Sequence, residues 1–234
     1  MEKVIISERR ENGFRIKRAY DLFQTRLPSR QKFPRFKQEE ERVFILQDEE
    51  FFTDVQKYLW KEIVSEMIAI GYKYDYLSDL LHLKRMDAGE LHCFLCALIA
   101  ADLEQDEKYI FEKLPESGYA VDGFFNFRLK PLKEKWRKII ECIPSDFSAY
   151  EAERFLQYLV DGNCGEVYVK TNEVYGGNYR LCRRGLWLKD RDNYGAKTEL
   201  LLSCAKGVHV IGKPSAELLP FIRKYYGRYA VFND

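Results

Sequence analysis

The spacing of apolar residues changes once along this chain, at Gly162, and that change limits the fold more than any other feature. Before it, apolar side chains recur every three or four positions, the period of a helix with one buried face. Phe52, Val55, Leu59, Ile63, Met67 and Ile70 form one such run, and Phe155, Leu156, Leu159 and Val160 form the last. After Gly162, residues 166–171 and 178–183 alternate apolar and polar, as half-buried strands do. Gly176-Gly177-Asn178 between them is turn chemistry, so a β-hairpin is expected there. Helical and strand-bearing regions that follow one another make an α+β protein.

The same reading divides the chain into three stretches. Residues 1–47 form a basic strand–helix–strand segment, with strands over 3–7 and 42–47, a helix over 14–27, and a loop over 28–42. Residues 48–162 form a helical region. Its first helix spans 48–71, with Asp48 as N-cap and Gly71 as stop. Helices over 74–83, 88–103 and 107–114 follow, then one that starts at Pro131 and turns Leu132, Trp136, Ile139, Ile140 and Ile143 inward, and one over 148–161. Residues 163–234 form a C-terminal mixed α/β region. The hairpin, with Leu186-Trp187-Leu188 extending its sheet, leads to a helix over 197–204 and a strand–helix–strand unit over 208–211, 215–226 and 229–232. That unit implies a parallel pair with a right-handed crossover.

Composition narrows the setting. The chain has 38 Lys/Arg against 37 Asp/Glu, yet the charges are unevenly placed. Residues 1–42 carry 12 basic and 7 acidic side chains, residues 43–127 carry 7 and 17, and residues 128–234 carry 19 and 13. The longest apolar run, 91–103, is interrupted by Asp102 and falls short of the roughly 20 residues of a membrane span. The first residues lack the apolar segment of a signal peptide. A cytoplasmic protein is expected, with its six cysteines as free thiols.

Several groups invite a chemical role. His92, Cys93 and Cys96, with His82 nearby, carry metal-ligand residue types, but the Cys-x-x-Cys pair sits within an apolar helix and no second pair exists, so core cysteines are expected. Residues 207–214 match a phosphate loop by letter. The middle of that match reads as strand, and Pro214 stands where the magnesium-binding hydroxyl belongs. Lys213, ahead of a helix N-terminus, remains a candidate anion contact beside ordinary capping by Ser215. Arg183 and Arg184, near Trp187, are read either as an exposed recognition patch or as a solvated strand edge, and Arg128 either as a partner contact or as a structural residue among Phe124, Phe125 and Phe127. Arg9, Arg10, Arg15, Lys17, Arg18, Arg30, Lys32 and Arg35 form a basic N-terminal cluster, with Phe33 and Phe36 close by. That cluster suits phosphates and bases, or packing against acidic neighbours. No nucleophile signature, acid–base pair or cofactor motif stands out, so no cofactor and no metal are expected and the chain reads as non-enzymatic.

One string carries a resemblance. Val121-Asp122-Gly123-Phe124-Phe125-Asn126-Phe127-Arg128-Leu129 resembles a hallmark of the YtxC-like sporulation proteins of endospore-forming bacteria. Glu153-Arg154-Phe155-Leu156-Gln157-Tyr158-Leu159-Val160-Asp161 and the Leu/Ile-rich tail are similar to later parts of that family. Pro131, in the helix after the string, departs from its pattern. The resemblance implies a cytoplasmic, sporulation-associated protein and brings no catalytic residues. The leading expectation is a protein that binds another protein. The alternative is a nucleic-acid-associated protein using the basic N-terminal cluster.

Overall fold

The computed structural model describes residues 2–27, 34–48, 52–116, 118–189 and 191–233. In chain order the elements begin with β1 (Glu2–Arg9), α1 (Gly13–Arg26), β2 (Arg35–Gln38), β3 (Arg42–Asp48), α2 (Asp54–Met67), α3 (Lys73–Leu80), α4 (Ala88–Ala100) and α5 (Leu103–Lys113). They continue with β4 (Tyr119–Ala120), α6 (Val121–Arg128), α7 (Lys130–Glu141), α8 (Ala149–Gly162), β5 (Gly165–Lys170), β6 (Glu173–Gly176), α9 (Arg191–Leu202), β7 (Ala205–Ile211), α10 (Leu218–Tyr226) and β8 (Ala230–Asn233). The protein is therefore α+β, with two mixed four-stranded sheets. Among the described residues no helix is long and apolar enough to cross a membrane.

The chain divides into two units, each assembled from separate stretches. The first is Met1–Tyr72 with Glu104–Lys138, and the second is Lys73–Leu103 with Ile139–Asp234.

In the first unit the strand order is β2-β3-β1-β4. β1 and β2 both run antiparallel to β3, and β4 runs parallel to β1. Ile6, Ile16, Phe23, Ile45, Trp60, Ile63 and Met67 are fully buried, and Phe23 stacks on Trp60 at 4.3 Å. Residues 34–42 are not all loop. Arg35–Gln38 pairs with β3 from Leu46 to Val43, and a mostly exposed edge strand of this length carries little apolar signal to announce itself.

The first long helix also differs from expectation. Asp48 ends β3, and Thr53 is the N-cap, locked with Gln56 in a capping box. Gly71 does not stop the helix. It lies in a π-turn, Ile68–Tyr72, and its carbonyl accepts from Arg15 Nη2 at 3.1 Å.

In the second unit the order is β6-β5-β7-β8, with β5, β7 and β8 parallel and β6 antiparallel to β5. Asp87 with Glu90 and Ser148 with Glu151 form capping boxes at the starts of α4 and α8. A hairpin is present, but it joins β5 to β6 through Thr171-Asn172, not 166–171 to 178–183 through Gly176-Gly177-Asn178. Residues 178–183 add only the bridge Leu181–Tyr175, because the chain turns at 177–178 before a second full strand can pair. Leu186 and Trp187 do not extend the sheet. They lie in a 3-10 turn, Arg184–Trp187, that buries the indole completely.

Candidate binding surface

Within the second unit, one face of the sheet is the buried one among the described residues. Val167 and Val169 of β5, Val174 of β6, and Val208 and Val210 of β7 are buried, and α8 and α10 pack against β7. Residues of the opposite parity form the other face, because successive side chains of a strand point to opposite sides. That face carries Glu166, Tyr168 and Lys170 from β5, Glu173 and Tyr175 from β6, Gly207, His209 and Ile211 from β7, and Val231 from β8.

Its centre is a row of rings. Tyr168 neighbours Tyr175 on one side and His209 on the other. The Tyr168 and His209 rings are 4.9 Å apart and 21° from parallel, and the Tyr168 and Tyr179 rings are 4.6 Å apart and 29° from parallel. Strands lie about 4.8 Å apart. Near-parallel rings at that spacing face one another, as offset-stacked pairs do, instead of lying flat side by side on the sheet.

Tyr179 ends the row, is 68% exposed, and has φ 59°. A bulky residue in the left-handed region bears a cost of about 1–2 kcal/mol. The loop imposes that conformation through three hydrogen bonds. Gly176 N donates to Arg180 O at 2.8 Å, Tyr179 N to Gly176 O at 2.8 Å, and Arg180 N to Asn178 Oδ1 at 3.0 Å. Hydrogen bonding to Tyr179 pushes the Tyr168 phenol above its ordinary pKa.

The two carboxylates on this face have partners. Glu173 accepts from the Tyr175 hydroxyl at 2.6 Å, which raises that phenol's pKa, and Glu166 lies 3.6 Å from His209 Nε2. Gly207 keeps room for Glu166, since a Cβ there would come within 3.1 Å of its side chain.

Buried polar groups also lie elsewhere. In the first unit, Glu8 is fully buried on β1, accepts from Tyr72, and receives Arg9 N at 2.8 Å. Burial pushes its carboxyl up to about 7. Nearby Asp122 stays below its usual range despite its burial, because Arg42 donates to it at 2.7 Å. In the second unit, His92 joins Tyr74 through Nδ1 and Thr198 through Nε2, each at 2.8 Å. Burial pushes the Cys93 thiol up to about 11 and also raises that of Cys96, which keeps both protonated and poorly nucleophilic at neutral pH. Among the described residues no group of three His, Cys, Asp or Glu side chains is placed to hold a metal ion.

The residues nominated from sequence are scattered. Arg15 is 1% exposed, with its guanidinium over the Phe14 and Tyr72 rings, so it does not belong to a surface patch. Arg9 pairs with Asp122 at 3.3 Å, Arg10 donates to Glu40 O at 3.5 Å, Lys17 pairs with Asp21, and Arg18 lies over Phe14. Arg35 is exposed on the β2 edge, whereas Arg30 and Lys32 lie outside the described residues. Arg128 is exposed at the end of α6. Arg184 holds the end of α9, donating to Leu202 O at 2.6 Å, while Arg183 is exposed. Lys213 is exposed just past β7. The ring row was missed, although its signal is visible. Tyr168 lies between two core valines, and His209 between Val208 and Val210, so both rings fall on the parity that faces water.

No family model, no curated protein and no solved structure matches this chain.

Proposed function

We propose that this is a binding protein whose working surface is the open face of the β6-β5-β7-β8 sheet. The observation that carries this reading is Tyr179, held at φ 59° and exposed, with its ring on Tyr168. A strained, solvent-facing aromatic at the end of a ring row contributes little to a core, and strain of this kind gathers at sites of recognition. Tyrosine is also enriched where proteins make contact, because it offers a large rigid area with a polar tip. The cellular setting we propose is the cytoplasm of a sporulating bacterium, on the strength of the string at residues 121–129.

A photo-crosslinking amino acid in place of Tyr179, in cells of the source organism, tests the surface. Covalent adducts at position 179 are expected, with none at Tyr158, which is 78% exposed on α8. Equal labelling at both positions, or none at 179, would sink the proposal.

A further inference from the structure

We propose that the ligand of this face is single-stranded nucleic acid; the claim rests on the binding surface described above and names what it takes. A row of near-parallel rings ending in an exposed ring is an unfinished stack. Any nucleobase can extend it, since every base has a π-face. The covered sides of Tyr168 are satisfied by Tyr179 and His209, which leaves Tyr179 as the free end.

Cations stand near that end and farther along the sheet. Lys170 stands two residues beyond Tyr168 on the same face, about 7 Å along the strand. Arg180 follows Tyr179 directly. Lys213 follows Gly212, whose φ of 72° turns the chain off the end of β7 beside Ile211, the neighbour of Lys170. All three are exposed, and none is held in an ion pair among the described residues, although Glu173 is the cross-strand neighbour of Lys170. By contrast, Lys224 in the same unit pairs with Glu153 at 2.7 Å, and Lys206 donates to the Asp161 carbonyl at 3.0 Å. Exposed cations on the sheet that carries a stacking end suit a base and its phosphates, and Lys170 also has Glu173 directly opposite it on β6.

The face fits a protein core less well. The centre of a protein interface is depleted in charge, whereas here Lys170, Glu166 and Glu173 alternate with the rings strand by strand. A duplex is a poor fit as well, because its bases are stacked internally and cannot cap Tyr179.

The test is fluorescence anisotropy of the full chain with labelled single strands of about 20 nucleotides, in DNA and RNA, and with a matching duplex. Micromolar binding of single strands is expected, weaker for the duplex, and falling as salt rises from about 50 to 200 mM. Tyr168→Leu with Tyr179→Ala should weaken binding by roughly tenfold or more, from lost stacking. Lys170→Gln, Arg180→Gln and Lys213→Gln together should flatten the salt slope by about 2. Should the double variant fail to keep the wild-type circular dichroism and Tm, Tyr179→Ala alone serves, because that side chain lies outside the core.

No binding at low salt, equal duplex binding, or unchanged affinity in the ring variants would each overturn the proposal. Loss of binding in Arg9→Gln/Arg10→Gln with the ring variants unaffected would also overturn it. Adducts at position 179 that resist nuclease and yield to protease, with no oligonucleotide binding, would remove nucleic acid as the ligand and leave the binding surface standing. Absence of adducts would remove the surface itself.

Discussion

The Tyr72 hydroxyl donates to the carboxyl of Glu8, tying the π-turn after α2 to the middle strands of the first sheet. Glu8 is fully buried, and its pKa rises from 4.5 to about 7. The folded state therefore holds this proton more tightly than the unfolded chain does. The group's contribution to stability is complete below pH 4.5 and is lost as pH rises through 7, by up to about 3 kcal/mol. Glu8→Gln keeps the shape without the charging cost. Urea denaturation between pH 5 and 8 should show a downward slope in the parent that Glu8→Gln flattens.

Asp106 serves two donors at once. It is 1% exposed, accepts from Trp136 Nε1 at 2.7 Å, and pairs with Lys135 at 2.8 Å. Asp106→Ala strands a buried indole N–H and should cost about 2–4 kcal/mol, read as a lower denaturation midpoint with the m-value unchanged.

Thr198 joins α9 to α4 through His92. Thr198→Val keeps the volume and deletes the hydroxyl, so the buried His92 Nε2 loses its 2.8 Å partner and keeps the weaker Cys96 Sγ contact at 3.6 Å. The expected loss is about 1–2 kcal/mol by thermal or chemical denaturation.

Thr171, at φ 57°, opens the two-residue turn between β5 and β6. A β-branched residue there is strained at a position that suits glycine. Thr171→Gly should raise stability by up to about 1 kcal/mol, visible as a higher Tm. A fall in Tm would show that the turn gains something from the threonine side chain.

The sequence located most helices because their periods were long and their caps explicit. Ser148 and Gly162 bracket α8 closely as the spacing predicted. It misplaced the first long helix because Asp48 and Thr53 are both plausible caps, and only the Thr53–Gln56 box is made. A hairpin after Gly162 was recognised, but its second strand and its turn were misplaced, since Gly176-Gly177-Asn178 looks more like a turn than Thr171-Asn172 does. The basic cluster was conspicuous in one dimension, yet Arg15 points into the core and Arg9 is tied to Asp122. The ring row draws on Tyr168, Tyr179 and His209, whose separation along the chain hides their adjacency.

By itself, then, the order of residues determined where most of the long helices lie, and which parity of β5 and β7 meets water, because period and burial are local properties of a pattern. The tertiary structure decided which strands became neighbours, that Tyr179 would be bent back onto Tyr168, and that Glu8 would be sealed from solvent. Those outcomes depend on pairing distant segments, and the free energy of such pairing is not written in any one stretch of chain.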